Sequence, residues 1–461
     1  MSAPPGRPKA RSPYSGRMAH SAGRALQVML PRALRSVGES VTLPGLRSVF
    51  RGAGGPAGLR CASAIDSPSG QTATSSLDGE TLPFKRQGYH AYWYGSGTAA
   101  LAAALLVAIR RKPHELPEVV IPAYCCPDLV AAVRFAGASP VLADTLPGLP
   151  LIDPAALSVA LRPATAAVVH LGFLGLPGNG GDLRAVIGNH GAALIEDAAH
   201  RHPGAEAPGS DADSIVFSFG RGKPLSVRCG GLLLQRTRGD DRDRAIPPDP
   251  EPAIDSIAAR LGHLVRCCAY NVAIDPTAYW FLTRLLGIPT DVIRFRDLQR
   301  LTGFPASLAP LLARQAARMN LDGWREKRVR SDLERIGGPW VDVAGQVALH
   351  LPSGFPDHGM RLWRYPLLLE SERERNHLFE NLWRAGLGPS RLYLKPLGEM
   401  ASLKDLVRGA STPMASDFAR RLLALPLHSS MRTQDYDRMH AVLRAFAATR
   451  ARPSIAQLAA G

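Results

Sequence analysis

The chain has 461 residues, 46% of them apolar and 20% charged, which is enough for about two or three domains with buried cores. Its longest clean apolar run, 99–109, falls well short of the ~18 residues that span a bilayer. Six cysteines without a CxxC spacing suggest neither zinc nor a thioredoxin-type centre, and they fit a reducing, cytoplasmic compartment. The net charge of +16 is unevenly spread, because residues 1–65 hold ten basic groups and one acid, Glu39; the basicity belongs to a tail.

Residues 1–80 are rich in Pro, Gly, Ser, Ala and Arg, with one short helical stretch at 25–34. They read as a disordered basic leader, as an Arg-rich organelle transit peptide, or as residues upstream of a later start codon. From residue 82 the texture is regular. A strand at 90–94 leads into a helix ending at 111, and strands follow at 118–122, 140–144, 166–171, 192–197, 214–219 and 231–235. Helices fall between them at 128–136, 154–161 and 182–189. Continuous apolar runs alternating with helices predict an α/β fold with a mostly parallel sheet covered on both faces.

The stretch 236–252 reads as a loop and 253–286 as helix in pieces. A long helix is expected over 310–330, with Leu311, Leu312, Gln315 and Met319 near one face. Strands at 347–351 and 364–369 and helices at 371–385 and 435–448 predict a smaller C-terminal α+β domain. The expected division is a leader at 1–80, a large domain at 81–300, a small domain at 301–452 and a tail at 453–461.

Three segments carry chemistry. Ser96-Gly97-Thr98 sits between a strand and a helix, where free amides and the helix dipole make an anion site; the plainer reading is an ordinary N-cap. Asp197 ends a buried strand, where ligands bind in open α/β sheets, and could pair with a cofactor's ring nitrogen or simply cap the next turn. His200 follows it and, taken alone, reads as a hydrogen-bonded supporting residue. Lys223 lies past a buried strand in a Gly-rich loop, where desolvation makes an amine nucleophilic; a lone loop lysine is otherwise solvated.

Together these segments resemble the DegT/StrS family of pyridoxal-phosphate sugar aminotransferases. The similarity rests on Gly95-Ser-Gly-Thr-Ala-Ala-Leu101, Glu118-Val-Val-Ile-Pro-Ala-Tyr124, Phe135-Ala-Gly-Ala-Ser-Pro-Val-Leu-Ala-Asp144, Ile152-Asp-Pro154 and Val169-His-Leu-Gly172. It continues through Ile195-Glu-Asp-Ala-Ala-His200, Phe217-Ser-Phe-x-x-x-Lys223 and Leu423-Ala-Leu-Pro-Leu-His428 with Asp435, and covers about 82–450.

The resemblance implies fold type I, a large three-layer domain with a smaller C-terminal one, and pyridoxal 5'-phosphate as cofactor. It implies that Lys223 is catalytic, holding the cofactor through its amine and moving the proton. Asp197 would pair with the ring nitrogen, Tyr124 would stack on the ring, Gly97, Thr98 and Ser218 would hold the phosphate, and His200 would lie near the phenolic oxygen. Lys223 also sets the chain apart from the family's dehydratase branch, where a histidine takes that place.

The implied function is transfer of an amino group, from glutamate, to a keto-sugar nucleotide by a homodimer. The alternative is a pyridoxal-phosphate-binding protein that no longer transaminates and serves as a regulator or partner. Nucleic-acid binding rests on the basic tail alone, with no helix-turn-helix, zinc finger or aromatic-basic sheet motif behind it, so no nucleic acid, no metal and no membrane span is expected. Three features depart from the family pattern. Cys125-Cys126 stand where a polar or aromatic run is usual. Gly303-Phe-Pro-Ala-Ser307 stands where a Gly-x-Asn-x-Arg segment reaches the neighbouring subunit's cofactor. The stretch 236–300 is long.

Overall fold

The computed structural model describes residues 86–202, 212–236, 246–274, 295–319, 323–349, 361–429 and 431–450. The leader expected at 1–80, the tail at 453–461 and part of the helical stretch 253–286 lie outside these residues.

Two sheets organise the chain. The larger is built from β1 (Tyr89–Tyr94), β2 (Glu118–Pro122), β3 (Ser139–Ala143), β4 (Thr165–Leu171), β5 (Ala193–Asp197), β6 (Ser214–Ser218), β7 (Gly231–Arg236) and the short β10 (Arg408–Gly409), in the order β1-β7-β6-β5-β4-β2-β3-β10. Its pairings are parallel except those made by β7, which runs against both of its neighbours. The helices α1 (Gly97–Arg111), α2 (Asp128–Phe135), α3 (Pro154–Ala160) and α4 (Gly180–Ile187) alternate with the strands.

Strand periodicity explains the three layers. Val119 and Ile121 share one cluster with the Ala-rich face of α1 and with Leu129 and Val133 of α2. Val120 and Val168 face the other way, against Leu157 of α3 and Leu183 and Ile187 of α4. Val119, Val120 and Ile121 are all completely buried. At ~1.5–3 kcal/mol per apolar side chain, such burial exceeds the ~1–2 kcal/mol of backbone entropy each residue loses.

The remaining helices are α5 (Ile257–Ala273), α6 (Ala309–Ala317), α7 (Trp324–Ile336), α8 (Val343–Leu349), α9 (Glu372–Arg384), α10 (Pro413–Arg421) and α11 (Thr433–Arg450). The smaller sheet is antiparallel, in the order β11-β9-β8, from β8 (Trp340–Asp342), β9 (Arg364–Leu369) and β11 (Leu422–Pro426).

Two expectations are corrected here. The single helix at 310–330 is two, α6 and α7, and Gly323 with φ +69° stands at the start of the second. The described part of the strand expected at 347–351, residues 347–349, is instead the end of the helix α8, because Val343, Ala344 and Val347 bury on one helical face; a strand lies earlier, at β8. Residues 301–317, expected to open the small domain, pack on the large sheet, since Leu308, Leu311 and Leu312 share a cluster with Trp93, Phe219 and Leu232.

The two sheets are tied directly. The carboxylate of Asp144, just past β3, accepts the backbone N–H groups of Met414 (3.0 Å) and Ala415 (2.8 Å) at the start of α10. An anion there satisfies orphan helix donors and complements the dipole.

Candidate active site

Strand register gathers the expected residues at one end of the large sheet. Tyr94 and Ser218 both pair with Gly231, Asp197 pairs with Leu171 and Val216, and Gly172 N–H donates to the Asp197 carbonyl at 2.9 Å. Because β7 is antiparallel to β6, the loop joining them, which carries Lys223, returns at the carboxyl ends of the parallel strands. That is the face where open α/β sheets bind ligands.

Ser96 is an N-cap, its Oγ accepting the Ala99 N–H at 3.1 Å. The capping and anion-site readings are compatible, because capping leaves other first-turn amides. Two glycines keep the place narrow. A Cβ on Gly97 would stand 2.6 Å from Ser218 Cβ, and one on Gly231 would stand 2.7 Å from Gly97 N. Ser218 therefore lies directly against the first residue of α1.

The Lys223 loop is closed on itself. Ser226 Oγ donates to the Gly220 carbonyl at 2.8 Å, and Val227 N–H donates to the Phe219 carbonyl at 3.1 Å. The lysine's charge reaches Asp197, His200 and Cys126. Burial pushes the Asp197 carboxyl up, while Lys223 and a hydrogen bond from Ala199 N–H (3.0 Å) pull it back. Burial, followed by Lys223, holds His200 well below its ordinary range. His200 is thus neutral near pH ~7, and its Nδ1 faces the Leu174 N–H at 3.4 Å. Leu174 itself has φ +54°, a strained conformation for a non-glycine residue of the kind that clusters at functional sites.

Tyr124 departs from its expected place. Its ring is completely buried, with Phe418, Phe173 and Tyr393 packed edge-on at 5.1, 5.6 and 5.6 Å, and its hydroxyl donates to the Tyr393 carbonyl at 3.0 Å. The aromatic cluster between the two sheets takes the ring, so no open face remains to stack on a cofactor. From the same turn it is Cys126, half-buried, that feels Lys223 and shares a side-chain hydrogen bond with Tyr393; burial raises its thiol to about 12.

The Gly303–Ser307 segment turns inward. Gly303 N–H donates to the Glu251 carbonyl at 2.7 Å, the Phe304 ring packs tilted against Trp93 at 5.5 Å, and Ser307 donates to Asp255 through both its backbone and its hydroxyl. Burial alone would raise the Asp255 carboxyl, but the hydrogen bonds from Ser307 and Arg260 bring it below its ordinary value. The segment is thereby secured to its own chain.

Sequence reading missed the far wall of the site. The Trp363 ring lies 4.8 Å from the His200 ring, and the Trp363 backbone N–H donates to the Leu174 carbonyl at 2.8 Å. Phe173 flanks the same histidine at 5.9 Å. Trp363 immediately precedes a strand with no motif of its own, so the only signal available was a large aromatic at a strand start.

The sequence matches the DegT/DnrJ/EryC1/StrS aminotransferase family over residues 84–242 and 317–444. It is 27% identical to a GDP-perosamine synthase from Caulobacter vibrioides over 361 residues, 77% of this chain and 85% of that one. It is 26% identical to the spore coat polysaccharide biosynthesis protein SpsC of Bacillus subtilis over 347 residues, 73% of this chain and 80% of that protein. Among solved structures, the PLP-form of a putative sugar aminotransferase, Spr1654 from Streptococcus pneumoniae, superposes with a TM-score of 0.56 at 19% identity, covering 78% of this chain and 87% of that one, and so shares the fold. With the motif residues assembled at one sheet end and the match running through both sheets, the chain belongs to the DegT/DnrJ/EryC1/StrS aminotransferase family.

Proposed function

We propose that this chain moves an amino group from an amino acid, with glutamate the donor, to a keto-sugar nucleotide in polysaccharide or secondary-metabolite sugar biosynthesis, using pyridoxal 5'-phosphate. The observation that carries the reading is the grouping of Lys223 with Asp197 and His200 beside the start of α1. The names of relatives, a perosamine synthase and a polysaccharide biosynthesis protein, support a sugar acceptor.

The residues fit the cofactor. The narrow cradle of Gly97 against Ser218, with the first amides of α1 and the Thr98 hydroxyl, suits a phosphate. When bound, the cofactor supplies an aldehyde that condenses with amines and a ring that accepts electrons from the substrate carbon. Lys223 would hold that aldehyde through Nζ, and its amine would move the proton at the donor's Cα. The Asp197 carboxylate would keep a proton on the ring nitrogen, and Lys223's charge favours its ionised form against burial. Neutral His200, accepting at Nδ1, would have its Nε2–H to offer to the phenolic oxygen. Trp363 and Phe173 exclude water on that side. The test is to load the purified protein with pyridoxal phosphate and follow its absorbance while glutamate is added, then to supply keto-sugar nucleotides and detect the aminated product by mass. A spectrum that no amino donor alters would favour the non-transaminating alternative.

The working form we propose is a homodimer, with the small domain beginning at α7 rather than at 301. Ile257, Leu261 and Val265 make an exposed apolar stripe along α5, at 56%, 38% and 65% exposure, which suits a second copy. Five described cysteines are free, which suits the reducing cytoplasm. Among the described residues no helix is long and apolar enough to cross a membrane. Light scattering at micromolar concentration tests the dimer; a monomer that stays fully active on dilution removes it.

A further inference from the structure

His200 stands beyond the end of β5, where strand pairing no longer fixes the chain. The turn that carries it is tied by backbone contacts. Ala198 N–H donates to the Val216 carbonyl at 2.8 Å, Ala199 N–H to the Asp197 carboxylate at 3.0 Å, and Arg201 N–H to the Ala198 carbonyl at 2.9 Å. Ala198 and Ala199 have no long side chain to lock it further. The contact of His200 Nδ1 with the Leu174 N–H, at 3.4 Å, is long for a hydrogen bond. The place of the ring thus depends on where the backbone of 198–201 is held.

The side chain after His200 supplies that hold. Arg201 is only 7% exposed, and an arginine is almost never buried unless it is paired. Its Nη1 donates to Oε1 of Glu196, which is 1% exposed and stands one residue before Asp197. The pair joins the two ends of the segment 196–201 and closes a ring around Asp197 and His200. On the neighbouring strand His170 is the register partner of Glu196 and shares its face. Burial holds His170 below its ordinary range, so the carboxylate meets a neutral ring there. The Arg201 stem crosses Gly172, where a Cβ would stand 2.6 Å from Arg201 Cγ. Gly172 leads into Phe173 and Leu174, which meet His200 from the other side. One side chain is wedged between the turn that carries His200 and the segment that His200 meets.

We infer that Arg201, anchored on Glu196, is a positioning residue that sets His200 for the transfer reaction. Desolvation offsets much of the attraction in a buried ion pair, so such a pair is a poor source of net stability and a better source of one fixed geometry. The inference rests on the role proposed above for His200 beside the phenolic oxygen.

A hydrogen bond donated to the phenolic oxygen favours its ionised form, so moving the donor away should raise the pH midpoint of the bound cofactor's absorbance. Lys223, whose charge reaches His200, stays in place in every variant. The midpoint is measured in the cofactor-loaded full chain, with the single-turnover rate on glutamate, for Arg201→Met, His200→Ala and the two combined. Arg201→Met should raise the midpoint by about half a pH unit or more. It should slow the turnover by about tenfold, the scale of a small misplacement. Arg201→Lys should recover part of both. Added to His200→Ala, Arg201→Met should slow the reaction by less than about twofold and move the midpoint no further, because residues that act through one another are not additive. An unchanged midpoint in folded Arg201→Met overturns the inference. So does a full additional loss in the His200→Ala background, which would leave the ion pair as structural support alone. If Arg201→Met does not fold, Glu196→Gln with Arg201→Gln removes both charges together and is read by the same comparison. A wild-type protein that binds pyridoxal phosphate but moves no amino group removes the reading of the reaction; the midpoint, which needs no transfer, still decides on Arg201.

Discussion

The site has two walls that differ in kind. The near wall comes from turns at the ends of strands in the large sheet. There Gly97 lies against Ser218, and Lys223 reaches Asp197 and His200. The far wall comes from chain more than a hundred residues later, where Trp363, Arg364 and His428 stand at the ends of β9 and β11. The near wall combines glycines, small hydroxyls, one acid and one lysine, groups whose chemistry suits a phosphate and a proton. The far wall combines a guanidinium group, an aromatic ring and a buried histidine. The two walls thus belong to different sheets, and the Asp144 cap ties the end of β3 to α10, the helix that leads into β11.

The largest effect should come from Lys223→Ala. No other amine is held by the loop after β6, so transfer should fall by about a thousandfold or more, the scale of removing a general base and nucleophile. The melting temperature should stay close to wild type, because Lys223 is half-exposed. Near wild-type transfer would move the chemistry to another residue. Asp197→Asn should come next. An amide cannot hold a protonated ring nitrogen as an anion does, and single-turnover rates with glutamate should drop by at least about tenfold, ~1.4 kcal/mol of barrier. A smaller drop would take Asp197 out of the reaction. Gly97→Ala should follow, since its Cβ would stand 2.6 Å from Ser218 Cβ. Overpacking of this kind costs ~1–3 kcal/mol, to be read as weaker cofactor retention on dialysis. Retention equal to wild type would mean that the phosphate does not use this cradle.

The same contrast explains what could be read from the sequence. The large sheet was legible because β2 and β4 are buried along their whole length and so appear as unbroken apolar runs. The places of Lys223, Asp197 and Gly97 at strand ends were legible because each follows such a run at a short spacing. Tyr124 was misread because a residue type at a motif position does not say which way a side chain turns. Here the space between the sheets, lined by Phe173 and Phe418, took the ring. The far wall was hidden for a related reason. Arg325, Arg364 and His428 are brought together by pairing of β9 with β11 and by packing of α7, and no local period records long-range pairing. The segment Val343–Leu349 shows the limit of pattern alone, since a short apolar run suits a helix or a strand.

The smallest effect tests the far wall by pH. His428 is pushed down to about 3 by burial and then by Arg364 and Arg325, and His202 to about 4 by burial first and the charges of Arg361 and Arg325 after it. In the folded chain both stay neutral at mildly acid pH. In the unfolded chain both take up a proton as the pH falls through the ordinary histidine value of about 6.5. The unfolded state then binds more protons, so stability falls with falling pH. The loss begins near 6.5 and runs on to about 4 for His202 and to about 3 for His428, where the folded chain protonates as well. Each histidine adds a slope of at most ~1.4 kcal/mol per pH unit. Asp197 works in the opposite sense, because burial raises its carboxyl and the folded state then holds that proton more readily than the unfolded one. Thermal unfolding followed between pH ~7 and ~5 should therefore show a falling melting temperature, and His428→Gln should show a shallower fall than wild type even if its melting temperature at pH ~7 is lower. Parallel slopes in the two proteins would mean that His428 is charged or solvated in the folded chain, and the far wall would then be an open surface rather than a recessed one.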